Sequence, residues 1–349
     1  MKFGSQKRGT VKEELLRLLK EHTREYISGQ LLCETLGVSR TAVWKAVGRL
    51  KEEGYEIDAG GKKGYRLNQY ESTDILNQQE LEAALDTRWV GHPLIYKKET
   101  GSTNDDLQEL SAQNYPEGTL IVTGAQTAGK GRRGRSWSSP GDVNVYMSLL
   151  LRPVLPPQTA PMCTLVMALA VYQAVRDLIG DNGELSAGIK WPNDLVISKK
   201  GEDYRKIVGI LTEMRLEEME IRDVVIGVGL NINQTQFPEE LQGTAGSLKL
   251  ALGHRVDRSR LTAAIWHYFE QDYETFLSAG NLLPLKEEYE AALVNRGRRV
   301  RVLDPKEPFE GTAMGITPTG ELLVLPDGEV EPRAVGSGEI SVRGVAGYV

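Results

Sequence analysis

The chain has 349 residues, of which 40% are apolar and 26% are charged. That length suits two or three domains, and these proportions exclude a disordered or fibrous protein. The sequence has neither an apolar run of about 18 residues nor the pattern of a secretory signal, and its cysteines, Cys33 and Cys163, are too few for a disulfide framework. We therefore expect a cytoplasmic protein with no membrane span.

The net charge of −6 is unevenly distributed along the chain. Residues 1–70 carry 14 Lys and Arg against 9 Asp and Glu, a balance of +5, which leaves −11 for the remainder. A basic segment in an acidic chain indicates an anionic partner for that segment. The acidic total therefore does not exclude binding to nucleic acid.

The basic segment has the pattern of a helix-turn-helix at about residues 29–48. Apolar residues at helical spacing predict a first helix from Val11, a short second helix capped by Ser28, and a third helix from Ser39 to about residue 53. The apolar positions of the third helix face inward. They leave a polar and basic set on its outer face: Arg40, Thr41, Trp44 and Lys45.

A β-hairpin is predicted next, because apolar residues alternate on both sides of the glycine-rich turn 60–64. Its tip carries Lys62 and Lys63. Three helices and a cationic hairpin resemble a winged helix-turn-helix whose wing reaches DNA phosphates, so we predict DNA binding. The alternative is a three-helix bundle with a solvated charged face, in which Trp44 packs against the wing instead of meeting a base edge.

After a polar connector at 70–76, the pattern predicts an α+β domain of hairpin-linked strands and separate helices. A mostly apolar helix is predicted from Pro161 to Ile179, and residues 189–197 have the pattern of one strand interrupted by Pro192. The sequence contains no Walker loop, no nucleophile elbow and no His or Cys pair at metal-ligand spacing. No metal site is predicted.

The strongest local signal is the segment Gly129–Arg135, GKGRRGR, which is followed by Trp137. Glycines let the backbone approach a ligand closely, and four cations in seven residues suit phosphate or carboxylate oxygens. Taken alone, the segment is equally compatible with a nucleic-acid patch or a solvated loop. Beyond a helix predicted at 258–277, short strands separated by Gly and Pro turns indicate a small β-barrel from about residue 295.

Five motifs occur in the order found in biotin–protein ligases: Ser102–Asn104, Gln126 with the loop Gly129–Arg135, Lys190–Leu195, Lys206–Leu211 and Gly227–Asn231. With a winged helix in front, the chain resembles the bifunctional group that is both biotin–protein ligase and biotin-operon repressor. The resemblance covers nearly the whole length. It implies a winged helix-turn-helix at 1–70, a mixed α/β catalytic domain at 71–294 related to class II aminoacyl-tRNA synthetase-like ligases, and an SH3-like β-barrel at 295–349.

The resemblance implies two reactions. Biotin and ATP, with Mg²⁺ on the ATP phosphates, form biotinyl-5'-AMP, and a lysine of the biotin carboxyl carrier protein of acetyl-CoA carboxylase then attacks this mixed anhydride. Because charge develops on the phosphoryl oxygens, fixed cations and backbone donors should dominate catalysis. The reactive adenylate must be shielded from water, so we expect the loop 129–135 to become ordered around its ligands.

The same resemblance assigns roles to individual residues. Catalysis falls to Lys206, Arg132 and Asp194. Biotin binding falls to Ser102, Thr103, Asn104, Gln126, Lys130, Gly131, Arg132 and Lys206. Nucleotide binding falls to Arg132, Arg135, Trp137, Asn193, Asp194, Asn231 and Arg343.

Structural roles are the alternatives for four of these residues. Lys206 could be a solvated residue closing a hairpin, Ser102 a helix cap, Trp137 a core anchor and Arg343 a surface residue of a strand. Lys130 stands where many relatives have arginine, which keeps the charge but loses the bidentate fork.

A regulatory function is also implied. Biotinyl-5'-AMP would act as corepressor by inducing a homodimer through the strands 206–217 and 221–230, which brings two winged helices to one operator of biotin synthesis or transport genes. The carrier protein would compete for the same surface. Three other functions stay open: a monofunctional ligase with a non-functional winged helix, a non-catalytic ligand-sensing transcription factor, and a lipoate ligase.

Overall fold

The computed structural model describes residues 10–68, 74–181, 183–338, 340–345 and 347–349. The connector predicted at 70–76 lies partly outside these residues. Two compact units make up the chain, Met1–Glu80 and Leu81–Val349.

The N-terminal unit contains three helices and a hairpin. Its elements are α1 (Val11–Glu21), α2 (Gly29–Leu36), α3 (Arg40–Glu52), β1 (Ile57–Ala59) and β2 (Tyr65–Leu67). The side chains of Ser28 and Ser39 cap α2 and α3, as the sequence predicts. Gly37 ends α2 with φ 66°, a left-handed conformation that favours glycine. The apolar faces of the three helices and the hairpin meet in one core, which includes Leu15, Leu32, Val43, Val47, Leu50 and Leu67.

The second unit is built on a seven-stranded sheet. Its strands are β3 (Leu94–Lys97), β4 (Leu120–Thr123), β5 (Val145–Leu151), β6 (Leu185–Lys190), β7 (Asp194–Lys199), β8 (Arg205–Glu217) and β9 (Glu220–Leu230). Their order across the sheet is β3-β4-β5-β9-β8-β7-β6. Strands β3 and β4 run parallel, and the other described neighbours are antiparallel. This topology is that of an α+β domain.

Helices α5 (Thr103–Ala112) and α6 (Ala160–Ile179) pack directly on this sheet. The other helices after the N-terminal hairpin are α4 (Gln78–Ala84), α7 (Leu248–Leu252), α8 (Arg258–Ala279) and α9 (Lys286–Ala292). Thr212 of β8 bonds Thr164 of α6 and pairs with Ile226 of β9, whereas Val225 packs against Leu107 of α5. Because successive strand residues point to opposite faces, α5 and α6 lie on opposite sides of the sheet.

Helix α6 is the apolar helix that the sequence predicts. With the turn before it, the segment Pro157–Ile179 is long and apolar enough to cross a membrane, yet 72% of its apolar window of 18 residues is buried within the protein. It packs against α8 and against β6 to β9. These contacts are those of a central core helix.

The segment 189–197 differs from the single interrupted strand that the sequence predicts. Strand β6 ends at Lys190 and β7 begins at Asp194, so Trp191, Pro192 and Asn193 form the turn of a hairpin. Proline has no N–H to give to a strand ladder, and a turn accommodates it without losing a bond. The turn places Asn193 and Asp194 beside Ile210 and Gly209 of β8.

A separate five-stranded antiparallel sheet follows. Its strands are β10 (Arg299–Leu303), β11 (Phe309–Ile316), β12 (Leu322–Pro326), β13 (Arg333–Val335) and β14 (Ser341–Gly344), in the order β13-β12-β11-β10-β14. The sequence predicts all of these except the three-residue strand β13. Nε1 of Trp191 donates a 3.0 Å hydrogen bond to the carbonyl of Gly320, which anchors this sheet against the 191–193 turn.

Candidate active site

Two adjoining pockets meet at the segment 129–137 and strand β8. The narrow pocket extends toward α5 and β9, and the wider cleft extends toward the 190–194 turn and β14. The narrow pocket has a volume of about 60 Å³ and is lined by all eight residues predicted to bind biotin, among other residues. The wider cleft has a volume of about 650 Å³ and contains six of the seven residues predicted to bind the nucleotide. The two pockets share Gly131, Arg132, Trp137, Asn193 and Lys206.

The floor of the narrow pocket consists of glycines on two paired strands. Gly209 of β8 lies opposite Gly229 of β9, and the ring of Trp137 lies on both. A Cβ at Gly209 would be 2.7 Å from that ring, and one at Gly227 would be 2.2 Å from Oδ1 of Asn104. Side chains at these positions would therefore displace the pocket walls, which accounts for the glycines of the 227–231 motif.

One wall of the narrow pocket is neutral and polar. Oε1 of Gln126 accepts hydrogen bonds from the backbone N–H (2.9 Å) and the hydroxyl (3.2 Å) of Thr103. Nδ2 of Asn104 donates to Oε2 of Glu213 at 2.6 Å. Ser102 is the N-cap residue of α5 and is buried, but its side chain makes no capping hydrogen bond. Ser148 supports this wall from β5, with Oγ 2.6 Å from both Thr103 Oγ1 and Asn104 Oδ1.

The opposite end carries cations held in fixed positions. Nζ of Lys206 lies 2.6 Å from Oδ1 of Asp194 and 5.1 Å from the ring centroid of Trp137. The Arg132 guanidinium donates to Asn193 Oδ1 (2.9 Å) and to the carbonyls of Ser337 (2.5 Å) and Gly338 (2.8 Å). Burial lowers the pKa of Arg132. These contacts fix the direction of the positive charges before any ligand enters.

The wider cleft carries more positive charge. Arg135 and Arg343 line it with exposed side chains. Lys190 lines it from a buried position, and burial lowers the pKa of its ammonium to about 8, against the opposing effect of Asp194. Lys130, at the mouth of the narrow pocket, bonds Asp105, which raises the pKa of that lysine.

The predicted glycine-rich loop is folded as a short hairpin. The backbone N–H of Gly131 donates to the carbonyl of Arg135 (2.7 Å), and that of Trp137 donates to the carbonyl of Gly129 (2.9 Å). Arg133 has φ 59° inside this turn. The hairpin brings Arg132 and Trp137 together and leaves Arg133 and Arg135 exposed.

The structure brings together residues that sequence reasoning did not assign. Ser148, Glu213 and Tyr348 form hydrogen bonds with predicted site residues, and Lys190 pairs with Asp194 across the β6–β7 hairpin. The only local signal for Lys190 is its place at the start of the motif Lys190–Leu195. Asn231 does not line either pocket: its side chain is buried, and its backbone bonds Ile207 and Leu248.

The six residues predicted to meet DNA are all exposed in the N-terminal unit. They are Arg40, Thr41, Trp44 and Lys45 on α3 and Lys62 and Lys63 on the hairpin tip. The side chain of Trp44 is 66% exposed, so it does not belong to the core of this unit. The charged face of α3 is therefore free to contact a ligand.

A neutral hydrogen-bonding wall that faces fixed cations suits a ligand with a polar ring at one end and a carboxylate at the other. The cationic cleft beside it suits nucleotide phosphates. In the part of the chain that the structure describes, no cluster of three His, Cys, Asp or Glu could hold a metal. The fold and the site define a carboxylate-activating ligase joined to a helix-turn-helix unit.

Comparison with known proteins agrees with this class. The chain matches the Biotin/lipoate A/B protein ligase family over residues 96–231, a helix-turn-helix domain over 11–66 and the Biotin protein ligase C terminal domain over 297–343. It is 40% identical to the bifunctional ligase/repressor BirA of Bacillus subtilis over 91% of this chain and 94% of that protein. Identity to the BirA of Escherichia coli is 31%, over 97% of this chain and 98% of that one.

A solved structure has the same ligase fold. The biotin protein ligase of Aquifex aeolicus, in complex with biotin and ATP, superposes with a TM-score of 0.59 at 28% identity, over 72% of this chain and 98% of that one. The chain belongs to the biotin–protein ligase family, in its bifunctional ligase/repressor group.

Proposed function

We propose that this chain forms biotinyl-5'-AMP from biotin and ATP and transfers the biotin to a lysine of the biotin carboxyl carrier protein of acetyl-CoA carboxylase. The observation that carries the proposal is the narrow pocket, whose neutral wall faces the Lys206 and Arg132 cations. Biotin has a neutral ureido ring at one end and a carboxylate at the other. The two ends of the ligand therefore match the two ends of the pocket.

The residues divide into three roles in this proposal. Ser102, Thr103, Asn104 and Gln126 bind the ureido ring with neutral donors and acceptors. Lys206 and Arg132 bind the biotin carboxylate and the α-phosphate and stabilise the charge that develops when the mixed anhydride forms. Gly131 brings backbone close to the carboxylate, and Lys130 adds a monodentate cation. Arg135, Trp137, Asn193, Asp194 and Arg343 hold the nucleotide.

The magnesium ion is proposed to arrive with ATP. Mg²⁺ is usually held by phosphate oxygens and one or two carboxylates. Asp194 fits such a contribution, since its carboxylate lines the cleft where the phosphates would lie. What the ion supplies there is neutralisation of phosphate charge.

Pyrophosphate release tests the ligase function. We expect release that requires biotin and that lipoate does not support. Label from biotin should then appear on one lysine of the carrier protein. Release with lipoate instead would favour a lipoate ligase, and binding of biotin without any release would favour a non-catalytic sensor.

We further propose that biotinyl-5'-AMP is the corepressor of an operator bound by two N-terminal units. The proposed dimer surface is formed by β8 and β9, whose far end exposes Met214, Leu216 and Met219. The carrier protein would compete for that surface. Gel filtration with biotin and ATP should show twice the monomer mass, and an unchanged mass at concentrations near the operator affinity would contradict this mechanism.

Finer features of the fold are also proposals. We propose domain limits at 1–70, 71–294 and 295–349, and the three family matches lie inside them. An SH3-like barrel for the last domain is supported by its five antiparallel strands. We also propose that the central domain is related to class II aminoacyl-tRNA synthetase-like ligases. The protein is proposed to be cytoplasmic.

A further inference from the structure

Tyr348 belongs to the segment 347–349, which follows β14 and enters the wider cleft. Its hydroxyl donates a 2.8 Å hydrogen bond to Oδ2 of Asp194. The other oxygen of the same carboxylate, Oδ1, lies 2.6 Å from Nζ of Lys206. Asp194 thus accepts a hydrogen bond from Tyr348 at Oδ2 and forms an ion pair with Lys206 at Oδ1, an oxygen without a hydrogen-bond partner among the described residues. The hydrogen bond from Tyr348 is therefore the directional contact that orients this carboxylate.

The ring of Tyr348 has a second role, because it covers Lys190. Nζ of Lys190 lies 3.4 Å from the ring centroid, a favourable cation–π position. Lys190 is buried, with only 6% of the residue exposed. The segment itself is packed, since Val349 is buried and a Cβ on Gly344 would lie 2.2 Å from the Val349 backbone.

We propose that Tyr348 is a positioning residue for the ligase reaction. It fixes Asp194 and, through Asp194, places the Lys206 ammonium between the biotin carboxylate and the phosphate. The inference rests on the proposed function of the site and adds a residue from beyond the central sheet to it. Lys206 has a long, flexible side chain, so an immobile carboxylate beside it limits the positions of its charge.

Because of the location of Tyr348, we expect its loss to affect kcat and the KM for biotin differently. Tyr348 lines the cleft, whereas the neutral wall at Thr103 and Gln126 belongs to the narrow pocket. Affinity for biotin should depend mainly on that wall. Loss of the Tyr348 hydroxyl should therefore lower kcat by a larger factor than it raises the KM for biotin.

The experiment measures biotin-dependent ATP–pyrophosphate exchange in the full chain and in Tyr348→Phe and Tyr348→Ala. The matched control is Tyr268→Phe, which removes a tyrosine–aspartate hydrogen bond to Asp177 on the α6–α8 surface. Rates are normalised to active sites counted by the pyrophosphate burst, so that unfolded protein does not contribute. We expect Tyr348→Phe to lower kcat about tenfold, as for a lost hydrogen bond to a charged group, while Tyr268→Phe matches the unaltered chain.

The alanine variant adds a pH signature. Within the cleft, Lys190 faces Asp194, Lys206, Arg343 and Tyr348. Removing the ring lets water reach Lys190, which raises its pKa above about 8 and moves any alkaline loss of ATP binding to higher pH. Tyr348→Phe keeps the ring and should keep the pH profile.

Several outcomes would overturn the proposal. The proposal is wrong if Tyr348→Phe has the same kcat as the unaltered chain. It is also wrong if the whole fall in kcat/KM comes from a rise in the KM for biotin. Faster exchange by Tyr348→Ala would mean that the segment obstructs the cleft instead of ordering it. Absence of exchange in the unaltered chain would overturn the proposed ligase function itself, and so it differs from the other results.

Discussion

Lys206 is the residue on which the proposed adenylation depends most directly. It lines both pockets, and its ammonium is oriented by Asp194 at 2.6 Å. A cation between two reacting anions stabilises the transition state more than either ground state. We therefore expect Lys206→Gln to lower biotin-dependent pyrophosphate exchange by about 100-fold or more.

The control for this variant is Lys199→Gln, which removes an exposed lysine of neighbouring strand β7. It should keep the exchange rate of the unaltered chain. A Lys206→Gln rate within threefold of the control would show that this lysine is only a solvated residue closing a hairpin.

Lys190 gives the site a pH dependence whose direction is fixed by burial. Its pKa is lowered to about 8, so its charge is present below that pH and is lost above it. We expect the KM for ATP to rise as the pH increases through about 8. Lys190→Arg, which stays charged, should remove this alkaline limb. A limb that persists in Lys190→Arg would assign it to another group.

Unfolding does not account for that alkaline limb. Above about pH 8 the folded chain releases the Lys190 proton while the unfolded chain keeps it up to the ordinary value of 10.5. The unfolded state then binds more protons, so this group makes the folded state relatively more stable as pH rises. Melting temperatures measured across the same pH range distinguish the two effects.

At the scale of elements, local patterns were sufficient wherever a short-range interaction decides the structure. The caps at Ser28 and Ser39 and the apolar helix α6 are examples, since a cap or an apolar run is contained within a few residues. The hairpin turn at Pro192 is harder to predict, because a proline indicates an interrupted strand but does not indicate whether the chain reverses direction there. Tyr348 could not have been assigned, because its partner Asp194 is 154 positions away and only the tertiary fold joins them.

The loop 129–137 is the element whose behaviour with ligand can be tested by proteolysis. Its hairpin leaves Arg133 and Arg135 exposed, and trypsin cleaves after such residues. We expect biotin with ATP to slow cleavage there, because contacts with the ligand would tie down this backbone. Cleavage after Arg24, an exposed residue of the N-terminal unit, is the internal control and should not change. Equal cleavage of the loop with and without ligands would contradict ordering around the adenylate.

At the scale of the whole molecule, the negative net charge does not exclude anionic partners, because separate regions of the chain are positively charged. The segment 1–70 has a balance of +5, whereas the larger remainder has −11 and still concentrates cations in one cleft. Local charge determines which surface attracts phosphate, because screening limits interactions between exposed charges to about 10 Å at moderate salt. An acidic protein can therefore bind both ATP and DNA.

The ligand cleft and the DNA-binding unit should be functionally coupled. Removing a phosphate-contacting cation should weaken DNA binding and lower the salt slope by about 1, so we expect this of Arg40→Gln and Lys45→Gln in an operator gel shift. Lys98→Gln, which removes an exposed lysine from the ligase unit, should bind as the unaltered chain does. All three variants should retain pyrophosphate exchange, because none of these residues lines the ligand pockets.

Biotin with ATP should tighten operator binding by the unaltered chain, since two linked N-terminal units gain affinity from a shared site. Operator binding that ignores biotin and ATP would contradict the coupling, whereas no sequence-specific binding at all would leave a ligase with a non-functional winged helix.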